Sequence, residues 1–193
     1  MNALHETTLP SLLTYEQYMA EGEVFQRYDI VDGARIVTNP TERHQDILFN
    51  IATPFKRFGK SSGLGKMVLA PCDVLIGRVP LRTRQPDVLF ISRERHEVNR
   101  PATNPAPLDP APELVVEILS PSDTRTVLTD KLADYRSVNV RECWVVSPGA
   151  RTVEVLRLTR TNEESVAIYN DGETARSITF PELTVAVADV FAE

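Results

Sequence analysis

The feature that most constrains this chain is a glutamate inside an apolar run, Glu117 in ELVVEILS at 113–120. A carboxylate among Val, Leu and Ile is costly to bury unless a proton, a cation or a metal neutralises it. A second carboxylate opens the preceding apolar run, Asp87 in QPDVLFIS at 85–92, and Lys131 follows on a helical segment, TDKLADYR. Near-continuous runs such as VLFI and LVVEIL suit strands covered on both faces. Two acids from neighbouring strands with a lysine close by can hold a hard divalent cation and act on phosphate esters. Each residue also has a plain alternative. Asp87 can start a strand and bond a loop, Glu117 can sit in a structural ion pair, and Lys131 can lie on a helix surface.

The rest of the chain can be divided around that stretch. SLLTYEQYMAE (11–21) is expected as a short helix, with Thr14 and Gln17 as a capping box. RYDIVDGARIVTN (27–39) has the form of a hairpin turning at Asp32-Gly33. A helix starting from Asn39 or Thr41 carries Ile47, Leu48, Ile51, Ala52 and Phe55 at helical spacing to about Phe58, with a kink or early end expected at Pro54. Gly59 to Gly65 is expected to turn flexibly. KMVLAPCDVLIG (66–77) is expected as a strand, and 93–112, with five of the 14 prolines, as mostly loop. Ser122 or Asp123 is expected to cap a helix bearing Leu128, Leu132 and Tyr135, closed by Asn139. Strands RECWVVSP, TVEVLRLT and ESVAIYND follow, and LTVAVADVF ends as a strand running into a helical turn. This order predicts an α/β (α+β) domain around a mixed sheet.

Charge bears on partners. The net charge of −6 argues against indiscriminate nucleic-acid binding, but residues 27–100 hold 13 of the 21 basic and only 8 of the 27 acidic residues. Lys56, Arg57, Lys60, Lys66, Arg78, Arg82 and Arg84 are therefore candidates for a basic rim, against the plain alternative of a solvated surface. Cys72 and Cys143 stand apart, with no CxxC or Cys/His cluster, so a zinc site is not expected and two buried thiols are. No run approaches the ~18–20 apolar residues of a membrane span. The first residues lack the pattern of a signal peptide, so a cytoplasmic location is expected.

Taken in order, QPDVLFIS, LVVEILSPS, Lys131 with Tyr135 four residues on, and RECWVVSP resemble the Uma-two family of the PD-(D/E)XK nuclease superfamily. RYDIVDGARIV, TERHQDILFNI, APCDVLI, ARTVEVLRL and LTVAVADVF resemble its other segments, so that nearly the whole chain is covered. The resemblance implies one restriction-endonuclease-like domain over 1–193. Its αβββαβ core would occupy roughly 41–148, with an N-terminal hairpin and extra C-terminal strands. It also implies a Mg²⁺ (or Mn²⁺) site, DNA as substrate and a homodimer. Asp87 matches the PD aspartate and Glu117 the second acid. The superfamily's usual lysine position holds Leu119, and Lys131 matches a lysine moved to the next helix. Asp29 stands where the family commonly has glutamate, and His44 matches a recurrent histidine. Cys143 and Ser147 replace a tyrosine and an aspartate of the family's strand. Asp73, Gln85 and Tyr135 are further pocket candidates, and the Ile118 carbonyl a further ligand. Two alternatives stand beside a nuclease: an inactive nuclease-fold binding module, and a metal-dependent phosphoesterase acting on nucleotides.

Overall fold

Strand alternation in the middle of the chain decides how the layers stack. Val88 and Phe90 of VLFIS, with Leu114, Val116 and Ile118 of LVVEI, pack with Ile47, Ile51, Phe55 and Phe58 of one helix. Leu89, Ile91 and Val115 pack on the other side with Leu132 and Tyr135 of another. Both faces are thus covered, as near-continuous apolar runs require. The structure is a computed structural model that describes residues 12–22, 24–99, 107–120 and 124–192.

Helix α1 (Tyr15–Ala20) begins at Thr14, whose hydroxyl accepts the Gln17 N–H while the Gln17 side chain accepts the Thr14 N–H. Ser11 lies outside the described residues. Strands β1 (Tyr28–Val31) and β2 (Ala34–Val37) form the expected hairpin. Asp32 (φ 50°) and Gly33 (φ 82°) both adopt the left-handed backbone that a two-residue turn needs.

Helix α2 (Glu42–Ser62) starts at Thr41 and runs through Pro54 to Gly63, whose φ of 66° ends it. The expected early end at Pro54 and flexible turn from Gly59 are both corrected. Phe55 and Phe58, on the far side of Pro54, are buried in the core, and their burial holds the helix together across one missing N–H.

The single strand expected at 66–77 is two strands in two sheets, β3 (Gly65–Leu69) and β4 (Val74–Arg78). Pro71, lacking an N–H, falls between them. Strand β5 (Leu81–Arg84) was not anticipated; it joins β4 and β1 in a four-stranded sheet of order β2-β1-β5-β4. Strands β6 (Val88–Ser92) and β7 (Leu114–Ile118) are separated by a short helix, α3 (Arg93–Asn99), where loop was expected; residues 100–106 lie outside the described residues. Helix α4 (Arg125–Ser137) is capped by Thr124, and the expected caps Ser122 and Asp123 lie outside the described residues. Asn139 takes a left-handed φ of 64° just past its end.

Strands β8 (Glu142–Ser147), β9 (Thr152–Leu158) and β10 (Glu163–Tyr169) complete a six-stranded sheet, β10-β9-β8-β7-β6-β3. Within this sheet, among the described residues, only β7 and β8 run parallel, joined by α4 as a parallel crossover requires. Strands β11 (Thr174–Arg176) and β12 (Thr184–Ala186) pair with each other ahead of α5 (Val187–Val190). The succession α2-β3-β6-β7-α4-β8 is the expected αβββαβ core, with β4 and β5 diverted into the smaller sheet. Both cysteines are free; Cys143 is buried and Cys72 half-buried. No helix among the described residues is long and apolar enough to cross a membrane.

Candidate active site

Antiparallel pairing of β6 and β7 sets Val88 against Val116. Carried one residue further, the register brings Asp87 opposite Glu117 near the end of these two interior strands. Both side chains are buried, Asp87 at 0% and Glu117 at 3% exposure. Glu117 shares the sheet face of Val115, which is the face α4 covers. There Lys131 Nζ lies 2.7 Å from Glu117 Oε2, and the Tyr135 hydroxyl donates to Glu117 Oε1. Lys131 and Tyr135 are four apart on α4 and so present one face to the glutamate.

Asp87 is held differently. Its Oδ2 accepts the Ile118 N–H at 2.7 Å. Its Oδ1 faces His44 Nε2 at 3.1 Å and forms an ion pair with Arg27. Burial alone would push the Asp87 carboxyl up, but His44, Arg27 and the Ile118 N–H outweigh it and hold the carboxyl below its usual value. Glu117 moves the other way. Burial raises it, the charges of Asp87 and Asp29 add to that, and Lys131 offsets only part. Burial would lower the Lys131 ammonium, yet Glu117, Asp29 and Asp87 together raise it, so it stays charged.

A cleft of about 370 Å³ is lined by Arg27, Asp29, His44, Gln85, Glu117, Ile118 and Lys131. Asp87 and Tyr135 are fully buried outside that lining and touch it through Arg27, His44 and Glu117. Thr38, Asn39, Thr41 and Ser120 add polar groups to the lining. Asp29 is fixed by Arg84 Nη1 at 3.0 Å and the Gln85 N–H at 2.9 Å, and stands 4.0 Å from Lys131 Nζ. The Gln85 side chain is committed to the fold: its Oε1 accepts the Tyr28 N–H at 3.0 Å.

Asp73 is not part of this lining. It accepts from the Tyr18 hydroxyl at 2.8 Å and the Thr83 hydroxyl at 3.0 Å, and so ties α1 to β5. It is half-buried outside the cleft lining, and burial raises its carboxyl. The expected basic rim also divides. Arg82 and Arg84 are spent on Asp134 and Asp130 of α4, and Arg84 is buried. Lys60 and Lys66 line a separate cleft with Arg93. No group of three or more His, Cys, Asp or Glu arranged to hold a metal occurs among the described residues.

Arg27 is a charged cleft residue that the sequence did not single out. Its only mark was its place directly ahead of the hairpin YDIVDG, and nothing in that pattern links it to Asp87.

The family assignment rests on a match to the model of the Uma2 (Uma-two) family, described as "Putative restriction endonuclease", over residues 14–188. The chain belongs to the Uma2 family. A crystal structure described as a "putative nuclease belonging to DUF820" from Anabaena variabilis ATCC 29413 shares the fold, with a TM-score of 0.71. That likeness spans 93% of this chain and 97% of the other at 19% identity. No curated protein matches. As a Uma2-family member, the chain has the restriction-endonuclease-like fold expected from its sequence.

Proposed function

We propose that this protein is an endonuclease hydrolysing DNA phosphodiester bonds with Mg²⁺ or Mn²⁺ held by Asp87 and Glu117. The supporting observation is that Glu117 and the Lys131 ammonium share one cleft wall, while the buried Asp87 carboxylate is held by Arg27 and His44 of the same wall. The donor set suits such an ion: Mg²⁺ is usually held by one or two carboxylates, with water and substrate supplying the rest. Asp87 Oδ1 is buried without a well-formed hydrogen bond, and the positive partner it does have, Arg27, is one that a cation could replace. A bound divalent ion would polarise the phosphate and lower the pKa of a water molecule.

The chain's own groups have separable tasks. Lys131, kept charged by Glu117, is placed to offset negative charge on the phosphorane. Tyr135 holds Glu117 Oε1 and thereby sets the direction of Oε2. His44 Nε2 is placed to hold or pass a proton beside Asp87. The Ile118 carbonyl is a further proposed ligand, and Thr38, Asn39 and Thr41 offer donors to a nucleic-acid backbone.

Incubating the protein with supercoiled plasmid and Mg²⁺ or Mn²⁺ tests this. Nicking that stops with chelator, and is lost in Asp87→Ala and Glu117→Ala while both variants remain folded, is the expected result. Cleavage by both variants at the wild-type rate would remove Asp87 and Glu117 from the chemistry. A second reading, an inactive binding module, draws on the prior pairing of both carboxylates with Arg27 and Lys131. Calorimetric titration with Mn²⁺ separates the two, because the inactive module would give no heat that depends on Glu117.

A further inference from the structure

We infer that Arg27 is an internal counter-ion that competes with the metal for Asp87 Oδ1 and then turns to the substrate phosphate. Metal and nucleic acid would therefore load the cleft together. This rests on the nuclease reading above.

Of the two oxygens of Asp87, Oδ2 is occupied by the Ile118 backbone N–H. Only Oδ1 remains for a cation, and Arg27 already sits against it. Arg27 is in contact with Asp87, and the charges of Glu117 and Asp29 add to that of Asp87 in holding the guanidinium charged. A lysine or histidine crowded by an incoming cation can release a proton. A guanidinium cannot, so it has to move.

The formal charges explain why it would move only when substrate arrives. Asp29, Asp87 and Glu117 face Arg27 and Lys131, and Asp29 also shares Arg84 with Asp130 and Asp134, so the acids of the cleft are already close to neutralised. A divalent ion entering alone would leave the cleft with excess positive charge, whereas a phosphodiester brings negative charge with it. Arg27 is suited to that exchange. It comes from the chain ahead of β1, not from β6 or β7, and its side chain is 17% exposed on the cleft wall. Its backbone is anchored by a hydrogen bond from the Thr38 N–H to the Arg27 carbonyl at 3.1 Å, so the swing belongs to the side chain. A guanidinium released from one carboxylate can present its fork to two phosphate oxygens.

The test measures Mn²⁺ binding by electron paramagnetic resonance without nucleic acid, and binding of a short DNA duplex by anisotropy in Ca²⁺. Arg27→Met is expected to bind Mn²⁺ about tenfold more tightly than wild type and the duplex about tenfold more weakly. An arginine with only a structural role would not move these two affinities in opposite directions. Should Arg27→Met fail to fold, Arg27→Lys keeps the charge and loses the fork. It is expected to bind Mn²⁺ at least as tightly as wild type, because the ammonium can release a proton, and the duplex more weakly. Mn²⁺ binding by Arg27→Met no tighter than wild type, or unchanged duplex affinity in Arg27→Lys, overturns the inference. If Mn²⁺ binding is the same in wild type and Glu117→Ala, the failure lies with the nuclease reading itself.

Discussion

Arg84 is 3% exposed at its side chain and holds three carboxylates at once: Asp29 at 3.0 Å, Asp130 at 2.5 Å and Asp134 at 2.7 Å. From the sequence it is one more arginine in a basic stretch, and its position on the unanticipated strand β5 hid its role. Removing it would strand Asp29 and Asp134 in a buried setting with less compensation. Arg84→Met is therefore expected to lose about 3–5 kcal/mol of stability, read from denaturant unfolding. A loss below about 1 kcal/mol would mean that these acids find other partners. Glu117 was legible because charge amid VVEIL demands a partner, and Lys131 and Tyr135 supply it. Arg27 was not legible, because a contact between a pre-hairpin residue and Asp87 leaves no periodicity to read.

At the scale of elements, the close approach of β3 and β6 depends on Gly65. A Cβ there would meet the Ile91 carbonyl oxygen at 2.2 Å and the Ser92 Cα at 2.9 Å, backbone atoms that cannot rotate away. Gly65→Ala is expected to cost about 3 kcal/mol, and the thermal midpoint should fall accordingly. An unchanged midpoint would show that the two strands separate easily. The same glycine appeared in the sequence only as the end of a flexible turn. The helix before it, α2, was legible from its apolar spacing, but its length was not. Local rules count Pro54 as a breaker, and only the core contacts of Phe55 and Phe58 carry the helix past it.

For the whole molecule, Glu142 joins the C-terminal segment to the core. It is fully buried and accepts from Trp144 Nε1 at 2.6 Å, the Ser177 hydroxyl at 2.8 Å, and the N–H groups of Ile178 at 3.1 Å and Thr179 at 2.8 Å. Glu142→Ala would leave these donors without an acceptor and is expected to cost about 3–5 kcal/mol. Fluorescence of Trp144, the sole tryptophan, would report it as an earlier unfolding transition. A second global prediction concerns alkali. Burial and the nearby Asp73 charge push the Tyr28 phenol from 10.0 to about 12. Its share of stability is full below pH 10 and is lost as the pH rises through about 12, since the unfolded chain gives up that proton first. Unfolding midpoints followed from pH 9 to 12 should fall over that window, and a flat profile would contradict the buried setting of Tyr28. The sequence by itself determined the layered α/β core, the hairpin, and the pair of acids that need neutralising, because these follow from local periodicity and from the cost of burying charge. Only the tertiary structure decided that one strand glutamate, Glu117, opens on a cleft while another, Glu142, is sealed by donors from the far end of the chain. Both are buried strand residues, and what separates them is which distant segment packs over each.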